Sequence, residues 1–164
     1  MSIGKSLIIS FIILMICIAG CASEQIRQRN NTSIAVWDLE DLSPMGSPHS
    51  DLGELLSAKI IETLNEMGSH TVVERERLLL ALQELNLGTT PLVDTATQLR
   101  IGKMVGAQLM VFGTYLVIED KMRLDLRLVE VETGRILKAA QKTLSTSDLS
   151  KWFQATKQTT AELF

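Results

Sequence analysis

Gly106 divides the chain into two kinds of periodicity, and no other feature limits its fold as strongly. Before that residue, helical patterns alternate with short extended runs. Ile34 to Leu39 is apolar without a helical period, as expected of a strand covered on both faces. A loop with Pro44, Gly46 and Pro48 follows. Leu52, Leu55, Leu56, Ile60, Leu64 and Met67 then recur at three- and four-residue spacing, which predicts an amphipathic helix over Asp51 to Met67, with Ser50 as cap and Gly68 closing the end. Thr71 to Val73 reads as a second strand, and strand, helix, strand in that order implies a right-handed crossover and a parallel pair. Leu78, Leu79, Leu82 and Leu85 stripe a second helix over Glu74 to Leu87, with Gly88 just beyond. Thr89 to Pro91 breaks the chain. Asp94 or Thr95 caps a third helix that ends at Gly106, and Thr95 to Gln98 match a capping box.

Beyond Gly106 the period is two. Leu109 to Ile118, Met122 to Val131 and Ile136 to Leu144 are separated by Glu119-Asp120-Lys121 and by Glu132-Thr133-Gly134-Arg135, both polar turn sequences, which predicts an antiparallel meander. In its middle strand Met122, Leu124, Leu126 and Leu128 share one face and Arg123, Asp125 and Arg127 the other, so one face is buried and the other is wet or covered by a partner. Asp148 to Phe164 reads as a closing helix, docked by Trp152 and Phe153. The expected fold is α/β: a mixed β-sheet, made of a parallel β-α-β unit and an antiparallel meander, packed with three to four helices.

The first residues address the chain rather than fold it. Lys5 precedes an apolar run from Leu7 to Ile18, and small residues lead to Cys21, the layout of a cleavable export signal. The run falls short of the roughly 18 to 20 residues that cross a bilayer. The ending Ile18-Ala19-Gly20-Cys21 resembles the bacterial lipobox, which implies a signal peptide over 1–20 and a Cys21 carrying diacylglyceryl and fatty-acyl groups such as palmitate. Ala22 is not the aspartate that resembles an inner-membrane retention signal, so the expected address is the periplasmic side of the outer membrane. Residues 21–32 then form the lipidated cysteine and a polar tether, and 33–164 the domain. The eleven residues Ala22 to Thr32 reach at most about 36 to 40 Å, and nearer 17 to 20 Å as a coil.

Composition excludes several classes of function. With Lys5 removed, 15 basic residues of the original 16 face 19 acidic ones, a net charge of -4 in place of -3, and no basic cluster with interleaved aromatics offers a face to nucleic acid. Cys17 lies in the discarded segment and Cys21 is a thioether, so the expected mature chain has no thiol nucleophile, disulfide or cysteine metal site. His49 and His70 lack a partner at metal-binding spacing, and no nucleophile elbow or phosphate-binding glycine loop is present. Asp38, Glu40 and Asp41 could pair as acid and base, yet solvated loop charges are the simpler reading. The expectation is a chain that is not an enzyme, with no cofactor, no metal and no evident small-molecule substrate.

Three blocks carry a family resemblance. Val72-Val73-Glu74-Arg75 with the leucines that follow, Ile101-Gly102-Lys103-Met104-Val105-Gly106-Ala107 running on to Gly113-Thr114, and Leu128 to Ile136 with Thr133-Gly134 inside it resemble the motifs of the curli secretion-channel (CsgG-like) family. The resemblance covers Ser33 to Leu144. Glu74, Arg75, Gly102, Gly106, Gly113, Thr133 and Gly134 are its motif residues, and each has a structural reading. Glu74 suits a helix N-terminus, Arg75 bridges carboxylates, Gly102 and Gly106 permit close approach or a turn, and Gly113 lies where a side chain does not fit. Pore-forming members carry long inserts that become transmembrane hairpins, for which this chain has no room, so it is not expected to be a pore itself. It is similar instead to minimal flagellar-associated (FlgO-like), Tol-propeller amino-terminal and peptidoglycan-synthase-activating (LpoB-like) versions, which act by protein contact. The resemblance implies a non-enzymatic lipoprotein that contacts envelope proteins or further copies of itself, in assembly or export of a curli-like or flagellar surface structure; the alternative is a synthase activator.

Overall fold

The apolar runs and stripes assemble into a six-stranded mixed sheet with helices on both faces, seen in a computed structural model that describes residues 32–44, 51–85, 94–145 and 147–164. The strands are Ser33–Val36 (β1), Glu40–Asp41 (β2), Thr71–Val72 (β3), Leu109–Ile118 (β4), Lys121–Glu130 (β5) and Ile136–Ser145 (β6). Their order is β3-β1-β4-β5-β6, and β2 lies beside β4 beyond the end of β1. β1 is parallel to both β3 and β4, and the β4–β5–β6 meander is antiparallel. The expected mixed topology is therefore present.

The predicted strand over Ile34 to Leu39 is interrupted. β1 stops at Val36, and pairing with β4 resumes only at Glu40. The break is held by the buried Ser57, whose hydroxyl accepts from the Leu39 N–H at 3.0 Å and donates to the Gly53 carbonyl at 2.8 Å. A buried backbone donor left by a strand break needs such a partner.

Four helices are present among the described residues: Leu52–Met67 (α1), Arg75–Glu84 (α2), Thr95–Met104 (α3) and Leu149–Ala161 (α4). α1 and α4 pack on one face, where Leu56, Ile60, Leu64 and Trp152 meet Val111, Tyr115, Leu124 and Leu126. α2 and α3 cover the other face only in part, with Leu78, Leu82 and Ile101 against Ala35, Met110, Phe112 and Val129. Leu55 and Met67, expected on the buried stripe of α1, are exposed, because the stripe turns toward the small residues Gly53, Ser57 and Thr63. Asp51, not Ser50, holds the N-cap position of α1, without a side-chain cap; Ser50 lies outside the described residues, as do Gly46, Pro48, His49, Leu87, Gly88, Thr89 and Pro91. Gly68 closes α1 by donating to the Leu64 carbonyl. Asp94 caps α3 by accepting from Thr97 N–H at 2.8 Å, which decides between the two caps the sequence offers.

The two-residue turn between β4 and β5 places Glu119 at φ 53, a left-handed position that glycine occupies without a Cβ penalty. Glu119→Gly is expected to stabilise the domain by about 0.5 to 1 kcal/mol, read as a higher denaturation midpoint at unchanged slope.

Candidate functional site

The strands β1, β3 and β4 point the same way, so the loops and helix starts beyond their C-terminal ends gather at one end of the sheet. β1 sits between strands reached by crossovers on opposite faces, the arrangement that opens a crevice at strand C-termini in open α/β sheets. Trp37, Asp38 and Leu39 leave β1 at that position. Carboxylates collect there: Glu40 and Asp41 on β2, Asp51 and Glu54 at the start of α1, Glu74 and Glu76 at the start of α2, and Glu119 and Asp120 in the hairpin. This end is acidic.

Arg75 answers two of these charges. Its Nη2 and Nε bond both carboxylate oxygens of Asp38 at 2.8 and 3.1 Å, and its Nη1 bonds Glu54 at 3.0 Å. One guanidinium thus ties the end of β1, the start of α1 and the start of α2. The expected bridging role of Arg75 is what the geometry displays. Hydrogen bonding to Asp38 raises the Arg75 pKa further above its ordinary value, so the residue stays cationic throughout. The side chains of Arg75, Asp38 and Glu54 remain 31%, 44% and 61% exposed, which makes the cluster a surface clamp with modest energetics.

Tyr115 supports the same region from inside the core. Its phenol is pushed well above the usual range, first by burial and then by its hydrogen bond to Asp41; it also accepts from the backbone of Gly53. Tyr115 therefore joins β4 to β2 and to the first turn of α1. Gly53 is needed there because a Cβ would strike the Leu39 carbonyl oxygen. Sequence reasoning did not single out Gly53, Ser57 or Tyr115. The available signal was a glycine and a serine four residues apart on a leucine-rich helix, placing two small side chains on one face.

The other motif residues are dispersed. Glu74 occupies the N-cap position of α2 but makes no side-chain cap bond, so it contributes charge near the helix end. Gly102 faces the side chain of Met110, not a backbone, so the close approach expected there is between α3 and a flexible side chain. Gly106 turns the chain out of α3 at φ 78, and Gly134 turns it between β5 and β6 at φ 70. Thr133 holds that second turn by donating to Glu130 and accepting from Arg135 N–H at 3.2 Å. Cys21, Ile18, Ala19 and Gly20 lie outside the described residues.

At Gly113 a Cβ would come to 2.8 Å from the Asp125 carbonyl oxygen and 2.6 Å from Leu126 Cδ2 on the neighbouring strand. The backbone oxygen cannot yield without disturbing the β4–β5 ladder. Gly113→Ala is expected to cost about 1 to 3 kcal/mol, seen as a lower thermal midpoint.

The meander leaves one half of a sheet face open. Met122, Leu124, Leu126 and Leu128 are buried, as the alternation requires, and their neighbours Arg123 and Arg127 are exposed. Arg123 lies flat on that face, bonding Asp125 at 2.8 and 2.9 Å and Gln141 of β6 at 2.9 Å. β6 is the edge strand beside it. His70 packs against Phe164 with ring centroids 4.6 Å apart and the rings tilted at 58°, and burial lowers its pKa. No group of three or more His, Cys, Asp or Glu among the described residues is placed to hold a metal ion, and no described helix is long and apolar enough to cross a membrane.

Comparison with known proteins gives a family match and a set of distant folds. The family described as curli production assembly/transport component CsgG matches residues 21–119. Among solved structures, the LpoB C-terminal domain from Salmonella enterica aligns at 20% identity over 71% of this chain and 84% of that one, with a TM-score of 0.60. Lipoprotein GNA1162 from Neisseria meningitidis aligns at 15% over 76% and 93%, TM-score 0.57. The PelC dodecamer from Paraburkholderia phytofirmans aligns at 16% over 81% and 87%, TM-score 0.55. At these identities the likeness is one of fold. No curated protein sequence matches the chain.

Proposed function

Because the chain belongs to the CsgG family of curli production assembly/transport components, we propose that it is a non-catalytic envelope lipoprotein that serves assembly or export of a cell-surface structure through protein contacts. The signal peptide is removed before Cys21, and lipid on that residue holds the domain on the periplasmic side of the outer membrane. The open half of the sheet carries the reading: exposed Arg123 and Arg127 on β5 beside the edge strand β6 give a partner both charges and a strand to meet. The pole at the strand C-termini uses Arg75 as a clamp between elements, which supports a structural role for the motif arginine. The protein is not itself a pore in this reading. The ten-residue strands β4 to β6 are covered on one face by α1 and α4, whereas a membrane hairpin needs strands of about 9 to 11 residues facing lipid.

Affinity capture of the lipidated chain from solubilised envelope, with Arg127→Glu as the matched control, tests this directly. Arg127 is exposed, so the variant is expected to fold with a stability change within about 0.5 kcal/mol. The expected result is a secretion, fibre or flagellar component lost from the variant. Recovery of peptidoglycan synthases alone would favour the activator reading, and identical partners for both chains would remove the open sheet face from the interface.

A further inference from the structure

We infer that the end of the domain opposite the acidic pole is a lipid-contacting surface, seated on the phospholipid leaflet by Met67, Met104 and Ile136. This rests on the reading of Cys21 as the lipid attachment. The three side chains are 40%, 51% and 53% exposed and come from three different elements. Connectivity brings them to one end. The Ser33 hydroxyl donates to the Gly106 carbonyl at 2.6 Å, two residues beyond Met104, and Thr71, four residues beyond Met67, stands in register with Ser33. Ile136 opens β6 opposite Val129, next to Glu130, which lies opposite Leu109 at the start of β4. Ser33 is also the first residue of β1, so the chain from Cys21 enters the domain at this same end.

Charge points the same way. Three ion pairs stand around this end: Lys103 with Glu132 at 2.9 Å, Lys157 with Glu66 at 2.6 Å and Arg135 with Glu130 at 3.7 Å. The far end carries the excess of carboxylates described above. An anionic leaflet repels the acidic pole and is indifferent to the paired one. The eleven-residue tether keeps the domain within about 40 Å of the bilayer, where a high effective concentration lets a weak apolar contact fix its orientation.

The test places spin labels on single cysteines in the lipidated full chain, Met104→Cys and Ile136→Cys at the tether end and Ile118→Cys at the far end, reconstituted in phosphatidylethanolamine–phosphatidylglycerol vesicles. Ile118 is 49% exposed and serves as the aqueous reference. All three variants alter exposed side chains and are checked by thermal midpoint. The expected result is co-flotation with the vesicles and an oxygen-to-nickel accessibility ratio at 104 and 136 at least about threefold above that at 118, as for groups at a membrane interface. Co-flotation with equal ratios at all three positions overturns the docking surface and leaves the anchor standing. Failure to float overturns both.

Discussion

Trp152→Ala is expected to lower stability by about 3 to 5 kcal/mol, more than any other single truncation of α4. Trp152 is 2% exposed and belongs to the cluster that α1 and α4 form with the meander, where it packs with Leu56, Ile60 and Leu124 as neighbours in one core. Removing the indole deletes a large apolar surface and leaves a cavity between two helices and a sheet whose positions are otherwise fixed. For a unit of this size the loss corresponds to a drop of roughly 10 to 20 °C in thermal midpoint. Calorimetry of the purified protein gives the number, and a drop under about 3 °C would mean that α4 contributes little to the shared core.

Cys21→Ser is expected to have the other large effect, and it concerns location instead of stability. A serine offers no thiolate for diacylglyceryl transfer, so signal processing at that site and all three acyl chains are lost together. No described helix is long and apolar enough to span a bilayer, and in the proposed reading the lipid is the anchor of the mature chain, the apolar contact at the tether end being too weak to hold it alone. The variant is therefore expected to lack the lipidated mature form, appearing either as a soluble released domain or as a longer precursor held by its uncleaved signal, which gel mobility distinguishes from the mature length. A mature-length variant that stayed with the membrane would show that the protein has another means of holding to lipid.

Much of the fold was legible in the sequence because most elements repeat their apolar residues at the period of their own geometry. The meander was read almost to the residue, since Met122, Leu124, Leu126 and Leu128 alternate with charged neighbours and only one register buries them. α1 was legible as a helix but not in its rotation. Its buried face includes Gly53, Ser57 and Thr63, which are small, the hydroxyls of Ser57 and Thr63 donating to carbonyls of the same helix, and Leu55 is left outside. The buried face of α4 is built in the same way. Thr156, Thr159 and Thr160 are fully buried because each hydroxyl donates to the carbonyl four residues earlier, so the helix hides the polar atoms that made it look exposed. β1 was read three residues too long because nothing in Trp37-Asp38-Leu39 betrays that a serine eighteen positions from Leu39 takes over its backbone hydrogen bond.

The site was legible only in part. Arg75 was identified as a bridge, and its partners Asp38 and Glu54 lie 37 and 21 positions away, a pairing that no local pattern encodes. The motif glycines were legible as geometry: Gly106 and Gly134 at turns, Gly113 in a ladder too tight for a Cβ. Tyr115 was missed because it reads as one more apolar residue of β4, and only the folded chain places its phenol between Asp41 and Gly53. The gathering of Met67, Met104 and Ile136 at the tether end is likewise a product of topology, since the three lie in separate elements.

The central claim is that a lipid on Cys21 holds this CsgG-family domain at the membrane, and intact and peptide mass spectrometry of the protein extracted from cell membranes tests it most directly. The account predicts an amino-terminal peptide that begins at Cys21 and carries a thioether-linked diacylglyceryl group with a third acyl chain on the new amine. A membrane-extracted chain that begins at Met1, or one cut elsewhere with Cys21 unmodified, would contradict it.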